Sequence, residues 1–226
     1  FPGQTGESLV LLDTADVMVH CGYPLPFHET FEQGSFGFHN WTFEPDQGNW
    51  GISTYEKSCA PFADFRWQPV RTNYSYAMVS DNIDAFSWNC AALWLDFDYK
   101  LIDHNATGNE KLKVEVWYDN NWHLLQILSN NGSVDWTTLH FDLSTAAGKG
   151  LKVRFVAFGV NSGDILHWYL DNIKVYGICT PPSALSFSMN GQIADLSWTA
   201  PACSGSAGPA GYNVYRTDST GLPPFN

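Results

Sequence analysis

The sequence predicts an all-β sandwich, and three observations favour that fold class over a helical one. Apolar side chains alternate with polar ones, most clearly over residues 93–101 and 112–118. No segment keeps a period of 3.6 residues over several turns. Turn-forming clusters of Asn, Gly, Asp and Ser separate the runs at residues 104–109, 130–133, 146–150 and 161–164. The pattern therefore predicts strands at the spacing typical of a β-sandwich.

The individual strands follow from where each alternating run begins and ends. Residues 112–118 and 122–128 flank Asp119-Asn120-Asn121, three turn formers, and this arrangement predicts a hairpin. The other strands predicted for the large domain are residues 93–101, 152–158 and 168–176.

The composition changes after Cys179, where Thr180-Pro181-Pro182 is typical of a linker. Three short strands are predicted beyond it, at residues 184–187, 193–198 and 211–216. A Trp in the second strand and a Tyr-x-Val-Tyr-Arg run in the third resemble the first half of a fibronectin type III domain. That fold needs about 90 residues and seven strands. Only 47 residues follow Cys179, so we expect residues 179–226 to be an incomplete fibronectin type III-like sandwich.

Residues 1–21 have two interpretations. Apolar runs at 9–12 and 17–20 predict a strand that ends at Cys21. This strand is either the end of a preceding module or the lead-in strand of the large domain, which we place at residues 22–178. Because residue 1 is Phe and no signal peptide is visible, we expect a processed chain or a piece of a longer protein.

The charge balance argues against two classes of partner. The chain has 11 Lys and Arg against 23 Asp and Glu, and its formal net charge is −12. So few cations cannot neutralise a row of phosphates, so we expect no nucleic-acid partner. No stretch of about 18 apolar residues is present, so we expect no direct membrane insertion.

Five segments together resemble one family of β-sandwich modules. They are residues 30–34 (Thr-Phe-Glu-Gln-Gly), 48–50 (Gly-Asn-Trp), 74–80, 93–99 and 168–176, the last containing Leu-Asp-Asn-Ile. Over residues 27–178 the chain is similar to the MAM-like jelly-roll modules of bacterial surface and secreted proteins, of the cleaved-adhesin or choice-of-anchor J type. A fibronectin-like module often follows such modules. The resemblance implies a jelly-roll β-sandwich with a non-catalytic adhesion or binding role.

The same resemblance implies calcium as a cofactor, bound by acidic residues that correspond to Glu32 and Asp171. We expect Asp171 to face the core together with Tyr169, Ile173 and Val175, where a carboxylate needs a pairing partner. Calcium takes six to eight oxygen ligands. The candidates to complete the shell are Asp46 or Asn49, and Asp81 or Asn82. The alternative is that Asp171 accepts backbone N–H bonds at a corner of the sandwich.

Two tryptophans are candidates for ligand binding. Trp94 and Trp117 lie out of phase with the core positions of their strands, and Trp94 is two residues from Asp96. Exposed Trp beside carboxylates is typical of a sugar-binding surface, since the ring stacks on the sugar and the carboxylate accepts from its hydroxyls. The alternatives are a second buried face or packing against a neighbouring module.

Catalysis is not expected in this chain. Asp96 and Asp98 lie on one strand face and resemble a glycosidase pair, but a polar outer strand face is the favoured interpretation. None of the seven His belongs to a recognisable nucleophile motif.

The cysteines suggest an oxidising compartment. None of the five forms a CxxC pair. We expect one disulfide between Cys59 and Cys90, which closes a loop of about 31 residues. A second is expected between Cys179 and Cys203, because the loop holding Cys203 would lie at the end of a fibronectin-like sandwich where the linker enters. Cys21 would then pair outside this chain.

These observations favour a non-catalytic adhesion or binding module of a larger extracellular or cell-surface protein. Its expected partners are neighbouring modules of the same polypeptide, with a glycan or a host or extracellular protein as candidate ligand. The alternatives are an accessory glycan-binding or spacer module of a secreted protease or glycosidase, and a purely structural stalk.

Overall fold

A computed structural model describes residues 22–54, 61–86, 92–178, 183–190 and 193–199 of the chain. In chain order its strands are β1 (Tyr23–Pro24), β2 (Phe27–Glu29), β3 (Thr42–Glu44), β4 (Trp50–Ser53), β5 (Phe62–Arg66), β6 (Thr72–Val79), β7 (Ile83–Asp84), β8 (Ala92–Asp103), β9 (Lys111–Tyr118), β10 (Asn121–Ser129), β11 (Val134–Asp142), β12 (Gly150–Asn161), β13 (Ile165–Ile178), β14 (Ser183–Asn190) and β15 (Ile193–Thr199). Short 3-10 turns occupy Ser144–Ala146 and Ser162–Asp164. None of the described residues belongs to a helix long and apolar enough to cross a membrane.

Within the described residues the strands form two large sheets and one separate hairpin. One sheet has seven strands: β12 pairs with β9 on one side and with β6 and β7 on the other, while β10, β3 and β1 lie at its edges. The second sheet has six strands in the order β11-β8-β13-β5-β4, and β2 also pairs with β13. β14 and β15 pair with each other as an antiparallel hairpin. The predicted all-β sandwich is therefore confirmed.

The core between the two sheets is built by the apolar half of each alternating strand. In β8 the core side chains are Leu93, Leu95, Phe97, Tyr99 and Leu101. They meet the core side chains of the other sheet, for example where the rings of Phe97 and Phe155 lie edge to face at 5.0 Å. The polar half of β8 consequently points away from the core.

The predicted β9–β10 hairpin is also present. Asp119 and Asn120 have φ values of 49° and 60°, and Tyr118 pairs with Asn121 across a two-residue turn. Two consecutive residues with positive φ are typical of the tight turn that matches the twist of a hairpin. Asp and Asn tolerate this conformation better than most residues.

The core-facing residues of β13 differ from the expected set. Trp168 and Leu170 belong to the core before a bulge, and Ile173 and Val175 belong to it afterwards. The register between β13 and β8 shifts between Asp171 and Lys174. Because a bulge adds one residue, it reverses the inside–outside alternation. Tyr169 and Asp171 therefore point away from the core, and the expectation that they face it is wrong.

Several domain predictions lie beyond what these strands test. Residues 1–21 and 211–216 fall outside the described residues. β14 and β15 correspond to two of the predicted strands after Cys179, but the fibronectin type III assignment and the division into domains stay predictions.

Candidate ligand-binding face

The outward side chains of three neighbouring strands form one continuous surface, which we call the β8 platform. Its members are Trp94, Asp96, Asp98 and Lys100 of β8, Trp136, Thr138, His140 and Asp142 of β11, and His167, Tyr169, Asp171, Lys174 and Tyr176 of β13. The long β8 strand runs down the middle, so Trp94, Asp96 and Asp98 each have a neighbour on both sides.

Asp96 is held by donors from both neighbouring strands. The Tyr176 hydroxyl donates to Asp96 Oδ2 over 2.9 Å, and His140 Nδ1 lies 2.9 Å from Asp96 Oδ1. Burial raises the pKa of the Tyr176 phenol, and the hydrogen bond to Asp96 and the charge of Asp96 raise it further. Tyr176 therefore stays protonated and donating. A carboxylate has about four acceptor positions, so Asp96 keeps capacity for a ligand hydroxyl.

Asp98, one step along β8, is fixed in the same manner. Thr138 Oγ1 donates to its Oδ1 over 2.5 Å, and Asn172 Nδ2 donates to its Oδ2 over 2.7 Å. Asn172 lies in the β13 bulge and has φ 50°, a conformation that Asn tolerates better than most residues. The bulge thus places the Asn172 amide within hydrogen-bond distance of Asp98, which it orients.

Aromatic side chains and a cation surround Asp96 at one end of the platform. Trp94 is partly buried and lies between Asp142 and Tyr176 in the strand register. Its indole Nε1 is buried and has no acceptor among the described residues. Lys174 Nζ lies 4.7 Å from the centre of the Tyr176 ring, and the His140 side chain is 60% exposed. This end combines apolar rings, oriented acceptors and access to solvent.

The other end of the platform is packed rather than open. Phe62 of β5 and Tyr169 are 0% and 1% exposed although both lie outside the main core. The Tyr169 ring contacts Phe62 at 4.8 Å and Trp136 at 6.1 Å. Beside them, Asp64 accepts from Arg66 Nε over 3.1 Å and lies 2.9 Å from His167 Nδ1. We therefore place the accessible part of the platform at its Trp94 end.

The two predicted ligand tryptophans lie on different surfaces. Trp117 belongs to β9 in the seven-stranded sheet, where it pairs with Trp122 and Lys152. It lines a cleft of about 430 Å³ on the outer side of that sheet. Trp94 and Asp96 are on the outer side of the six-stranded sheet. The sequence could not separate them, because two strands in succession along the chain can belong to either sheet.

Each side chain predicted to bind calcium has local contacts of its own. Glu32 is exposed. The carboxylates of Asp46 and Asp81 accept from the nearby backbone N–H groups of Gly48 and Asn82, as local turns do. Asp171 Oδ1 accepts from Asn172 N over 2.8 Å, and Asp171 is 4% exposed.

Asn49 has a structural role that uses its whole amide. Its Nδ2 donates to the carbonyls of Arg66 and Pro69 over 2.8 and 2.9 Å, and its Oδ1 accepts from Arg71 Nε over 3.3 Å. Among the residues that the structure describes, no group of three or more His, Cys, Asp and Glu can hold a metal ion. Calcium also takes oxygens from amides and from the backbone, so calcium binding by the predicted side chains stays a prediction.

A buried carboxylate that the sequence did not single out lies close to Glu32. Glu29 is 2% exposed. It accepts from Phe31 N over 2.6 Å and from Trp41 Nε1 over 2.9 Å, and it lies 2.8 Å from His39 Nδ1. The signal was the short alternation from Phe27 to Glu29, which places both side chains on the buried face of β2. The predicted disulfide cysteines and Cys21 lie outside the described residues, so that pairing stays a prediction.

Comparison with solved structures supports the fold. TmCBM61 in complex with β-1,4-galactotriose matches with a TM-score of 0.50 and 12% sequence identity, over 66% of this chain and 95% of that one. A cleaved adhesin domain of Lys-gingipain from Porphyromonas gingivalis matches with a TM-score of 0.52 and 15% identity, over 67% of this chain and 98% of that one. No family model and no curated protein matches the sequence. The chain therefore has the jelly-roll sandwich fold that adhesin domains and carbohydrate-binding modules use.

Proposed function

We propose that this chain is a non-catalytic module that binds a glycan at the Trp94 end of the β8 platform. The observation that carries the proposal is Asp96, an acceptor oriented by Tyr176 and His140 next to the ring of Trp94. Acceptors that are already oriented lose little conformational freedom when a ligand binds.

The chemistry of this end matches a sugar. The C–H face of a sugar ring can stack on the Trp94 indole, and its hydroxyls can donate to Asp96. Lys174 and His140 supply further polar contacts at the margin. The fold supports the proposal because TmCBM61, with the same architecture, was solved in complex with β-1,4-galactotriose.

A hydrolytic role for Asp96 and Asp98 is less consistent with their contacts. A glycosidase pair requires one carboxyl group that donates a proton and another that acts as nucleophile or base. Asp96 lies within hydrogen-bond distance of two protein groups, and Asp98 accepts from two others. Neither carboxylate is therefore arranged to give up a proton.

The wider setting belongs to the same proposal. We place the module in a larger extracellular or cell-surface protein, where neighbouring modules of the same polypeptide are its other partners. The similarity to the gingipain adhesin domain supports a surface setting through fold alone.

A glycan array followed by calorimetry on the hits tests the proposal. Trp94→Ala should weaken binding about tenfold or more, which corresponds to about 1.4 kcal/mol. Asp96→Asn should also weaken it, since an amide cannot accept at both of its heteroatoms. Asp195→Asn in the exposed β15 strand is the matched control and should leave affinity unchanged. If the folded wild-type chain binds no glycan, or if Trp94→Ala binds as well as wild type, the proposal fails.

A further inference from the structure

We propose that the cleft beside Trp117 is a second binding site, specific for a sugar that carries a carboxylate, of the uronic acid type. The cleft lies on the seven-stranded sheet, across the sandwich from the β8 platform. This inference is therefore independent of the proposed function.

The cleft forms where three elements meet. These are β7, the turn between β9 and β10, and the beginning of β12. Its volume of about 430 Å³ lies within the range of small-molecule sites, about 300–1,000 Å³. Its lining includes Asn82, Phe86, Trp117, Asn120, Lys149 and Lys152.

Two aromatic rings give the cleft its apolar surface. Trp117 is partly exposed, and Phe86 is 49% exposed. The Phe86 ring lies over Gly150, where an added Cβ would come within 2.8 Å of Phe86 Cε2. Tyr118 is different, because His123 stacks at 3.9 Å and Lys149 Nζ lies 4.8 Å from its ring. Trp117, whose ring centre lies 6.2 Å from that of Trp122, and Phe86 both line the cleft.

Lys152 supplies the charge that selects an acidic ligand. It lies directly opposite Trp117 between β12 and β9. Lys149 is already paired with Asp119 over 2.5 Å. The Lys152 side chain, by contrast, has no ion pair with any described residue, although the chain has 23 acidic residues and only 11 basic ones. Asp84 and Asp119 also line the cleft, but Asp119 is paired with Lys149 and Asp84 accepts from Phe86 N. The ammonium group of Lys152, on the residue opposite the partly exposed Trp117, therefore favours an anion attached to an apolar ring.

These features distinguish the ligand classes. A neutral sugar would use Trp117 and the amides of Asn82 and Asn120 but not the charge of Lys152. An inorganic anion would use Lys152 but not the rings. A uronic acid uses both, since its ring can stack on Trp117 while its carboxylate reaches Lys152.

The test compares methyl glucuronide with methyl glucoside, which share a ring and differ at C6, by NMR titration of the full chain at low salt. The glucuronide should bind about fivefold more tightly, the factor that corresponds to about 1 kcal/mol for an exposed charge pair. Lys152→Gln should remove that preference. Trp117→Ala should weaken the binding of both sugars. It should leave the resonances of the β8 platform unshifted. Lys111→Gln, on the same outer face at the other end of β9, is the matched control and should keep the preference.

Three outcomes overturn the inference. The two sugars could bind equally well to wild type, which would remove the role of the charge. Lys111→Gln could reduce the preference as much as Lys152→Gln, which would indicate general attraction to the sheet. Trp94→Ala, rather than Trp117→Ala, could abolish glucuronide binding, which would place the ligand on the β8 platform and leave the proposed function standing.

Discussion

Tyr176 and Asp96 join β13 to β8 on the outer side of the six-stranded sheet through a hydrogen bond of 2.9 Å. The phenol donates to an ionised acceptor, and such hydrogen bonds are stronger than neutral ones. Because His140 holds the other oxygen, three strands converge on one carboxylate. The pairing of β8 with β11 and β13 therefore orients the acceptor at the Trp94 end of the platform.

Tyr176→Phe is expected to weaken both glycan binding and the fold. The change keeps the ring under Lys174 but removes the donor to Asp96 Oδ2. We expect a loss of about 1–2 kcal/mol in the free energy of unfolding, measured by urea denaturation, together with a several-fold loss of glycan affinity. Unchanged affinity in the folded variant would show that the orientation of Asp96 does not matter for binding.

Glu29→Gln is expected to destabilise the protein by about 2–4 kcal/mol. The carboxylate is buried among the donors Phe31 N, Trp41 Nε1 and His39 Nδ1, and an amide NH₂ group would face one of those donors instead. Glu32→Gln is the matched control and should change stability by no more than about 0.5 kcal/mol, since Glu32 is exposed. Equal effects of the two changes in urea denaturation would contradict the structure.

Substitutions of Asp171 distinguish two roles for this carboxylate, which are a hydrogen-bond acceptor in the β13 bulge and a calcium ligand. As an acceptor for Asn172 N, it should tolerate Asp171→Asn with little loss, whereas Asp171→Ala should cost about 1–3 kcal/mol. The prediction of calcium binding gives a different result. In it, EDTA lowers the melting temperature of calcium-loaded protein by several degrees, and Asp171→Asn abolishes that response. Thermal unfolding of both variants with calcium and with EDTA decides between the two.

Stability is expected to fall above about pH 10 because of Tyr74. Burial raises the pKa of this phenol, and the negative charge of neighbouring Glu110 adds to the effect. A raised pKa in the folded state means that the stabilisation is complete below the ordinary tyrosine pKa of about 10. It is lost as the pH rises above that value, by about 1.4 kcal/mol per pH unit. Urea denaturation from pH 8 to pH 12 should show a steeper loss for wild type than for Tyr74→Phe. Parallel profiles would show that Tyr74 ionises as readily in the folded protein.

Local patterns in the sequence were sufficient for the strands and for the hairpin. Each residue in a strand points opposite to its neighbour, so the alternation in β8 already indicated which side chains face the core and that Trp94 and Asp96 do not. Likewise, Asp119 and Asn120 are residue types that the hairpin turn favours. Both rules act over a few residues and need no knowledge of the rest of the chain.

The sequence by itself thus determined the all-β class, the alternation of β8 and β9 and the excess of acidic charge, because each depends on neighbouring residues alone. The tertiary structure decided three further points. Because of the bulge at Asn172, Tyr169 and Asp171 point away from the core, whereas Ile173 and Val175 face it. The assignment of β8 and β9 to different sheets separated Trp94 from Trp117. The packing of His39 and Trp41 against β2 supplied the contacts that hold the buried carboxylate of Glu29. Each of these depends on pairing between segments distant in sequence, and periodicity within one strand carries no information about its partners.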